Sequence, residues 1–183
     1  MVATNGDTRL GGDDFDQAIV GELTLRIQQE FTDAELRSPL ARQVLRQTAE
    51  TIKIGLSQSN EIEYTISIKD QSWSHQGSFT TTELQPLLAP VIQRTLQRCQ
   101  QALDQAGWKV EDLDEVVLVG GSTVVREVRR QVQHFFDRAP GKGLNPKAPT
   151  WPNLAKIFGA KRFILREAPH FVRAHSKTIH KLS

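Results

Sequence analysis

Apolar residues recur along this chain at two spacings, and each change of spacing marks a new element. Between Phe15 and Phe31, Ile19, Val20, Leu23, Leu25 and Ile27 recur at helical spacing behind an acidic start at Asp13 to Asp16, which suits the positive end of a helix dipole. A second and longer helix is predicted over Leu36 to Leu56. The spacing then drops to two. Ile62, Tyr64, Ile66 and Ile68 alternate with Glu61, Glu63, Thr65, Ser67 and Lys69, the pattern of a strand with one wet face. Asp70-Gln71 turns it into a partner strand around Trp73 to Phe79. Thr80 and Glu83 form a capping-box pair ahead of Leu84, Leu87, Leu88, Val91, Ile92 and Leu96, so a long helix runs to about Ala106, where Gly107 ends it.

Asp114 to Phe136 carries the clearest functional signal. Val116 to Val119 is an unbroken run of β-branched residues and Leu, which predicts a central strand buried on both faces. Gly120 and Gly121 follow at once. Val124, Val125, Val128, Val132, Phe135 and Phe136 then recur at helical spacing, with Arg126, Arg129, Arg130 and Gln133 on the opposite face. In a strand–double glycine–helix turn the absent side chains let a ligand approach the backbone. Free N–H groups at the helix start, with Ser122 or Thr123 as N-cap, favour an anionic partner such as a nucleotide. Alone, two glycines suit a tight bend with no ligand equally well.

The chain opens with a second double glycine, in Ala3-Thr4-Asn5-Gly6-Asp7-Thr8-Arg9-Leu10-Gly11-Gly12-Asp13-Asp14-Phe15-Asp16. Together with Leu-Val-Gly-Gly-Ser-Thr, and with Thr48-Ala49-Glu50-Thr51-Ile52-Lys53-Ile54-Gly55-Leu56-Ser57 between them, it closely resembles the second lobe of the nucleotide-binding domain of the DnaK-type, seventy-kilodalton heat-shock chaperones. The resemblance covers about residues 2 to 146 and rests on three motifs in the right order. It implies an α/β, actin-like ATPase lobe, a mixed sheet with helices, into which a helical and β-hairpin subdomain of about residues 32 to 106 is inserted. It also implies ATP or ADP as ligand and a GrpE-type nucleotide-exchange factor as a possible partner. Carried over by position, Glu50, Lys53 and Ser57 hold the ribose and adenine side of ATP. Gly120, Gly121 and Ser122 line the adenine and phosphate side, and Gly11-Gly12 forms the neighbouring turn. Glu50, Lys53 and Ser57 fall on one helical face, so a shared site is geometrically allowed.

Two departures touch the adenine clamp. Many eukaryotic members of that family stack the base between two arginines; the corresponding positions here are Ile54 and Val124. Aliphatic faces still sandwich a purine by dispersion, but each missing arginine removes a cation–π attraction of roughly 0.5–2 kcal/mol. Bacterial members are similar to this chain at Ile54, whereas Val124 is less usual and weakens the expected affinity. The larger departure is that the first lobe's two glycine-rich phosphate loops, its catalytic lysine and its magnesium-organising acids do not occur in this sequence. Phosphoryl transfer rests on positioning and on electrostatic clamping of the γ-phosphate, so no catalytic residue is assigned and magnesium is expected only if the missing lobe is supplied. The chain reads as a fragment of the family's domain.

Composition adds less. Of 183 residues, 38% are hydrophobic and 24% charged, ordinary values for one modest folded domain. The single cysteine, Cys99, excludes an internal disulfide framework, fits a cytoplasmic setting and falls on the apolar stripe of its helix, where it reads as a small buried hydrophobe. No apolar run reaches the ~18 residues of a membrane span. His170, His175 and His180 spread around a helix rather than onto one face, and no metal site is expected.

Charge is unevenly distributed. Residues 1–136 hold 13 Lys plus Arg against 19 Asp plus Glu, a balance of −6, while residues 137–183 hold 10 against 2, a balance of +8. After Gly141-Lys142-Gly143-Leu144-Asn145-Pro146 the resemblance stops, and Lys147-Ala148-Pro149-Thr150-Trp151-Pro152 stands where the family continues into an Ala-rich closing helix. Residues 147 to 183 are therefore read as a poorly ordered tail, the product of out-of-frame translation in preference to a basic nucleic-acid arm. Two alternatives to the nucleotide-binding lobe stay open: a non-enzymatic module that engages the exchange factor, and a nucleic-acid binder acting through the tail.

Overall fold

Phe15, Ile19, Leu23 and Ile27 share one face of helix α1 (Gly12–Ile27), and all four are buried. Their counterpart is α3 (Pro39–Leu56), whose buried stripe is Ala41, Leu45, Ala49, Ile52 and Leu56. The two alanines keep that stripe shallow, and α1 packs against α3. Short helix α2 (Asp33–Leu36) lies between them in sequence. The sequence predicts one helix over Leu36 to Leu56; instead the chain breaks at Arg37-Ser38. Pro39 forces its predecessor out of the helical region, and Ser38, at φ −61° and ψ 150°, becomes an N-cap whose Oγ accepts the Ala41 N–H at 3.2 Å. Thr32 and Glu35 cap α2 reciprocally.

Strands β2 (Glu61–Ile66) and β3 (His75–Thr80) form the expected antiparallel hairpin, with Ile62 opposite Phe79 and Tyr64 opposite Gly77. Asp70-Gln71 and the predicted start at Trp73 lie outside the described residues. A β-carbon on Gly55 would meet the terminal methyl of Ile62, so glycine at that position leaves room for the Ile62 side chain in its present place. Arg26 ties α1 to the hairpin. Its guanidinium lies 4.4 Å from the centre of the Phe79 ring, donates to the Ser78 carbonyl at 2.9 Å and pairs with Glu83 at 2.8 Å. Helix α4 (Thr81–Ala106) runs through Pro86 and Pro90, both on its exposed side, each removing one N–H from the ladder. Gly107 ends it at φ +65°, and the Trp108 N–H closes onto the Leu103 carbonyl at 3.0 Å.

The computed structural model describes residues 3–5, 12–68, 74–119, 121–141, 162–166 and 171–175. They belong to two compact units, Gly12–Val91 and the combination of Met1–Gly11 with Ile92–Ser183. The second unit contains a four-stranded sheet in the order β1 (Ala3–Asn5), β6 (Phe171–His175), β5 (Arg162–Arg166), β4 (Glu115–Val119). β4 and β5 run parallel; the other neighbours are antiparallel. Val116, Val117 and Leu118 are buried as predicted, but β4 ends the sheet rather than occupying its centre. Its outer edge makes a parallel bridge, Val117 with Gly141, where the Gly141 N–H donates to the Val116 carbonyl at 2.9 Å. Cys99 is fully buried as expected, and burial pushes its thiol pKa far up.

The tail requires a correction. Residues 147–183 are expected to lack order, yet Arg162–Arg166 and Phe171–His175 are strands, and β5 pairs along the whole of β4. Phe163-Ile164-Leu165 is a short apolar run with strong strand propensity, and Leu165 is buried. The charge excess hid that run, because its cations flank the apolar residues instead of interrupting them. The rest of the tail lies outside the described residues. Among the described residues no helix is long and apolar enough to cross a membrane.

The cap of α4 makes stability acid-sensitive. Glu83 accepts the Thr80 hydroxyl at 2.7 Å and the Thr80 N–H at 2.8 Å, and these bonds, with Arg26, hold its pKa below the ordinary value of 4.5. A carboxylate with a lowered folded-state pKa contributes stability above its ordinary value, and that contribution is lost as pH falls through the folded value. Glu83→Gln is therefore expected to flatten the fall of urea-unfolding stability below about pH 4.5, and Thr80→Ala to cost about 0.5–2 kcal/mol at neutral pH. An unchanged acid limb in Glu83→Gln contradicts this role.

Candidate functional site

The first two turns of α1 bring two carboxylates, Asp13 and Asp16, to the side of α3. Lys53 Nζ lies 2.6 Å from Asp16 Oδ1, and the two side chains are only 15% and 12% exposed. Arg46 Nη2 lies 3.7 Å from Asp13 Oδ2, but that pair is open to water and contributes little. The ammonium of Lys53 does not meet Oδ1 along a hydrogen-bonding direction, so Oδ1 is buried with charge compensation and no well-aligned donor. Such a carboxylate depends on its cation: removing one partner leaves an uncompensated charge away from water.

Around this pair stand the other α3 residues singled out by sequence. Glu50 is exposed, and Ile54 leaves 50% of its surface open. Ser57 follows the last helical residue as C-cap, and its Oγ donates to the Ile54 carbonyl at 2.5 Å. The three polar residues therefore differ in environment. Glu50 faces water, Lys53 is held by Asp16, and Ser57 bonds back to its own helix. Gly12 begins α1, so the helix start and the α3 residues belong to one unit, joined through Asp16 one turn further on.

Gly121, Ser122 and Val124 belong to the other unit. The Gly121–Val124 segment is a 3-10 turn, and helix α5 (Arg126–Phe136) starts only afterwards, with Val125 as its N-cap and no side-chain cap bond. Ser122 or Thr123 as N-cap is thus overturned. The tighter turn takes up these residues, and the extended Val125 resets the chain, so the α-helix itself starts only at Arg126. Thr123 is buried instead, and its carbonyl accepts from Arg129 Nε at 2.9 Å. Val124 leaves the helical stripe on which its spacing placed it and is 55% exposed. Val125, Val128, Val132 and Phe136 form the buried face. Gly11, Gly120 and the side chain of Ser122 lie outside the described residues.

Two buried acids escaped the sequence reading. Asp16 stands on the same stripe as Ile19 and Leu23, so a carboxylate in an apolar register was the available signal of a buried partner. Glu127 is 6% exposed and is met by Arg130 at 2.7 and 2.8 Å and by Gln131 at 2.8 Å. Burial alone raises its pKa; the arginine fork and the amide outweigh burial and leave it below the usual carboxylate range. Its partners lie three and four residues on, a spacing visible in Glu127-Val128-Arg129-Arg130-Gln131.

A family model described as Hsp70 protein matches residues 1–149. The chaperone protein DnaK of Psychrobacter cryohalolentis is 39% identical over 151 residues, which cover 80% of this chain and 23% of that protein. The chain thus spans less than a quarter of the length of this curated relative.

The Lys53–Asp16 pair makes a testable statement about stability. Lys53→Met leaves the Asp16 carboxylate buried alone and is expected to cost about 3 kcal/mol in urea unfolding of the whole chain. Adding Asp16→Leu removes the stranded charge and is expected to restore most of that loss. Losses that simply add in the double variant contradict a direct pair.

Proposed function

The chain belongs to the Hsp70 family, and from that premise we propose that it is the ATP-binding lobe of a DnaK-type chaperone, holding adenine nucleotide without turning it over by itself. The observation that carries the reading is the α3 surface beside the start of α1. There Glu50 and Ile54 are open while Lys53, one helical turn from Ser57, is fixed by Asp16. Together with the family's motifs, this is a surface with a carboxylate for sugar hydroxyls, an ammonium held in place and an aliphatic face for a purine. Among the described residues Ile54 and Val124 are large hydrophobic side chains left exposed, and neither is occupied in the core of its own unit.

Residues and ligand fit on chemical grounds. A purine face stacks on aliphatic carbon by dispersion, and the ribose offers hydroxyls that donate to Glu50 and accept from Lys53. Gly11-Gly12 and Gly120-Gly121-Ser122 are assigned to the backbone turns that admit the nucleotide closely. Magnesium enters this reading only with the first lobe's phosphate loops and acids, which the sequence does not contain. A GrpE-type exchange factor is assigned as partner, the cytoplasm as location and an actin-like lobe with an inserted subdomain as architecture, on family membership alone.

Weak binding without turnover is expected. Each charge-assisted contact missing from the phosphate side forfeits roughly 1.5–3 kcal/mol, so affinity for ADP falls by orders of magnitude from that of a complete site. Titration of the purified chain with ADP is expected to saturate, and Ile54→Asp to weaken it about tenfold, equivalent to about 1.4 kcal/mol. Magnesium-dependent ATP hydrolysis by the same preparation, abolished by Lys53→Ala, overturns the assignment.

A further inference from the structure

The buried carboxylate of Asp16 is not among the nucleotide contacts assigned above, and its place in the fold gives it a role. It reaches α3 from the second turn of α1 and touches the ammonium of Lys53 at 2.6 Å through Oδ1, which has no well-aligned hydrogen-bond donor among the described residues. The residue as a whole is 8% exposed. A lysine ammonium has three donors on a flexible four-carbon stem, so where it points is set by what holds it. Among the described residues Lys53 pairs with Asp16, and an ammonium held on one side by that carboxylate has donors enough to serve a further acceptor as well. We propose that Asp16 is a positioning residue for nucleotide binding: it fixes the Lys53 ammonium at the start of α1, so that a ribose hydroxyl meets a donor already in place. This rests on the nucleotide reading above.

The opposite possibility, that Asp16 is merely structural, predicts a different pattern. A structural carboxylate supports the whole α1–α3 contact, so its loss weakens ligand binding whether or not Lys53 is present. A positioning carboxylate acts through Lys53 alone. Glu50 and Ser57 stand apart from this pair, since one faces water and the other bonds back to Ile54, so neither replaces Asp16 as the anchor.

The test is a double-mutant cycle read as ADP affinity of the full chain, at temperatures where circular dichroism shows each variant folded. Asp16→Asn and Lys53→Met are each expected to weaken ADP binding about tenfold or more, the size of one charge-assisted contact. The double variant is expected to be no weaker than Lys53→Met alone. Asp16→Glu, which keeps the charge, is expected to retain most of the affinity and serves if Asp16→Asn does not fold. Asp16→Asn weakening ADP binding equally in the wild-type and Lys53→Met backgrounds overturns positioning, as does Asp16→Asn or Asp16→Glu binding that follows the urea midpoint instead of the charge. ADP binding lost in Lys53→Met yet unchanged in Asp16→Asn overturns the positioning role while leaving the nucleotide reading intact. No ADP binding by the wild type overturns both.

Discussion

The contact between Lys53 and Asp16 is the constraint on which the candidate site depends. At an effective dielectric of about 20, two unit charges about 4 Å apart attract by about 4 kcal/mol, and taking them out of water costs a comparable amount. The pair therefore adds little net stability while making separation expensive. Its value is positional. It fixes the N-terminal part of α1, which begins at Gly12, against α3, so that Glu50, Ile54 and Ser57 keep a set relation to the helix start. The apolar stripes around it make this possible: Ile19 and Leu23 on α1 and Ala49 and Ile52 on α3 exclude water from the junction. Arg26 does the same work at the far end of α1, holding it to Phe79, Ser78 and Glu83.

In the hairpin and the helices before it, where one face is buried against the same unit, the pattern of the sequence is legible. The alternation Ile62, Tyr64, Ile66 names β2, and the Thr80–Glu83 pair names the start of α4, because cap chemistry is local. The helix over Leu36 to Leu56 was found but drawn as one piece, since periodicity continues across Ser38 and only the Pro39 ring breaks the backbone. The Gly-Gly-Ser-Thr turn was recognised as special, yet its capping was misassigned. A glycine turn that enters an α-helix through a 3-10 turn, here with Arg129 donating to the Thr123 carbonyl, has the same apolar spacing as one that enters directly.

Sheet order was not legible at all. The burial of Val116 to Leu118 is written in their composition, but their neighbour β5 lies far along the chain in a segment whose net charge argued against order. Composition averaged over that segment conceals Phe163-Ile164-Leu165, and long-range pairing leaves no local trace. The partner of Lys53 was not legible either, although a carboxylate in register with Ile19 and Leu23 marks it.

Where ADP touches this chain is the most direct measure of the central claim. Amide chemical shifts of the isotope-labelled full chain, followed through a titration with ADP, resolve that contact residue by residue. The nucleotide-lobe reading requires changes at Gly12, Glu50, Lys53, Ile54 and Ser57. Shifts confined to residues 147–183, or none at saturating ADP, contradict it.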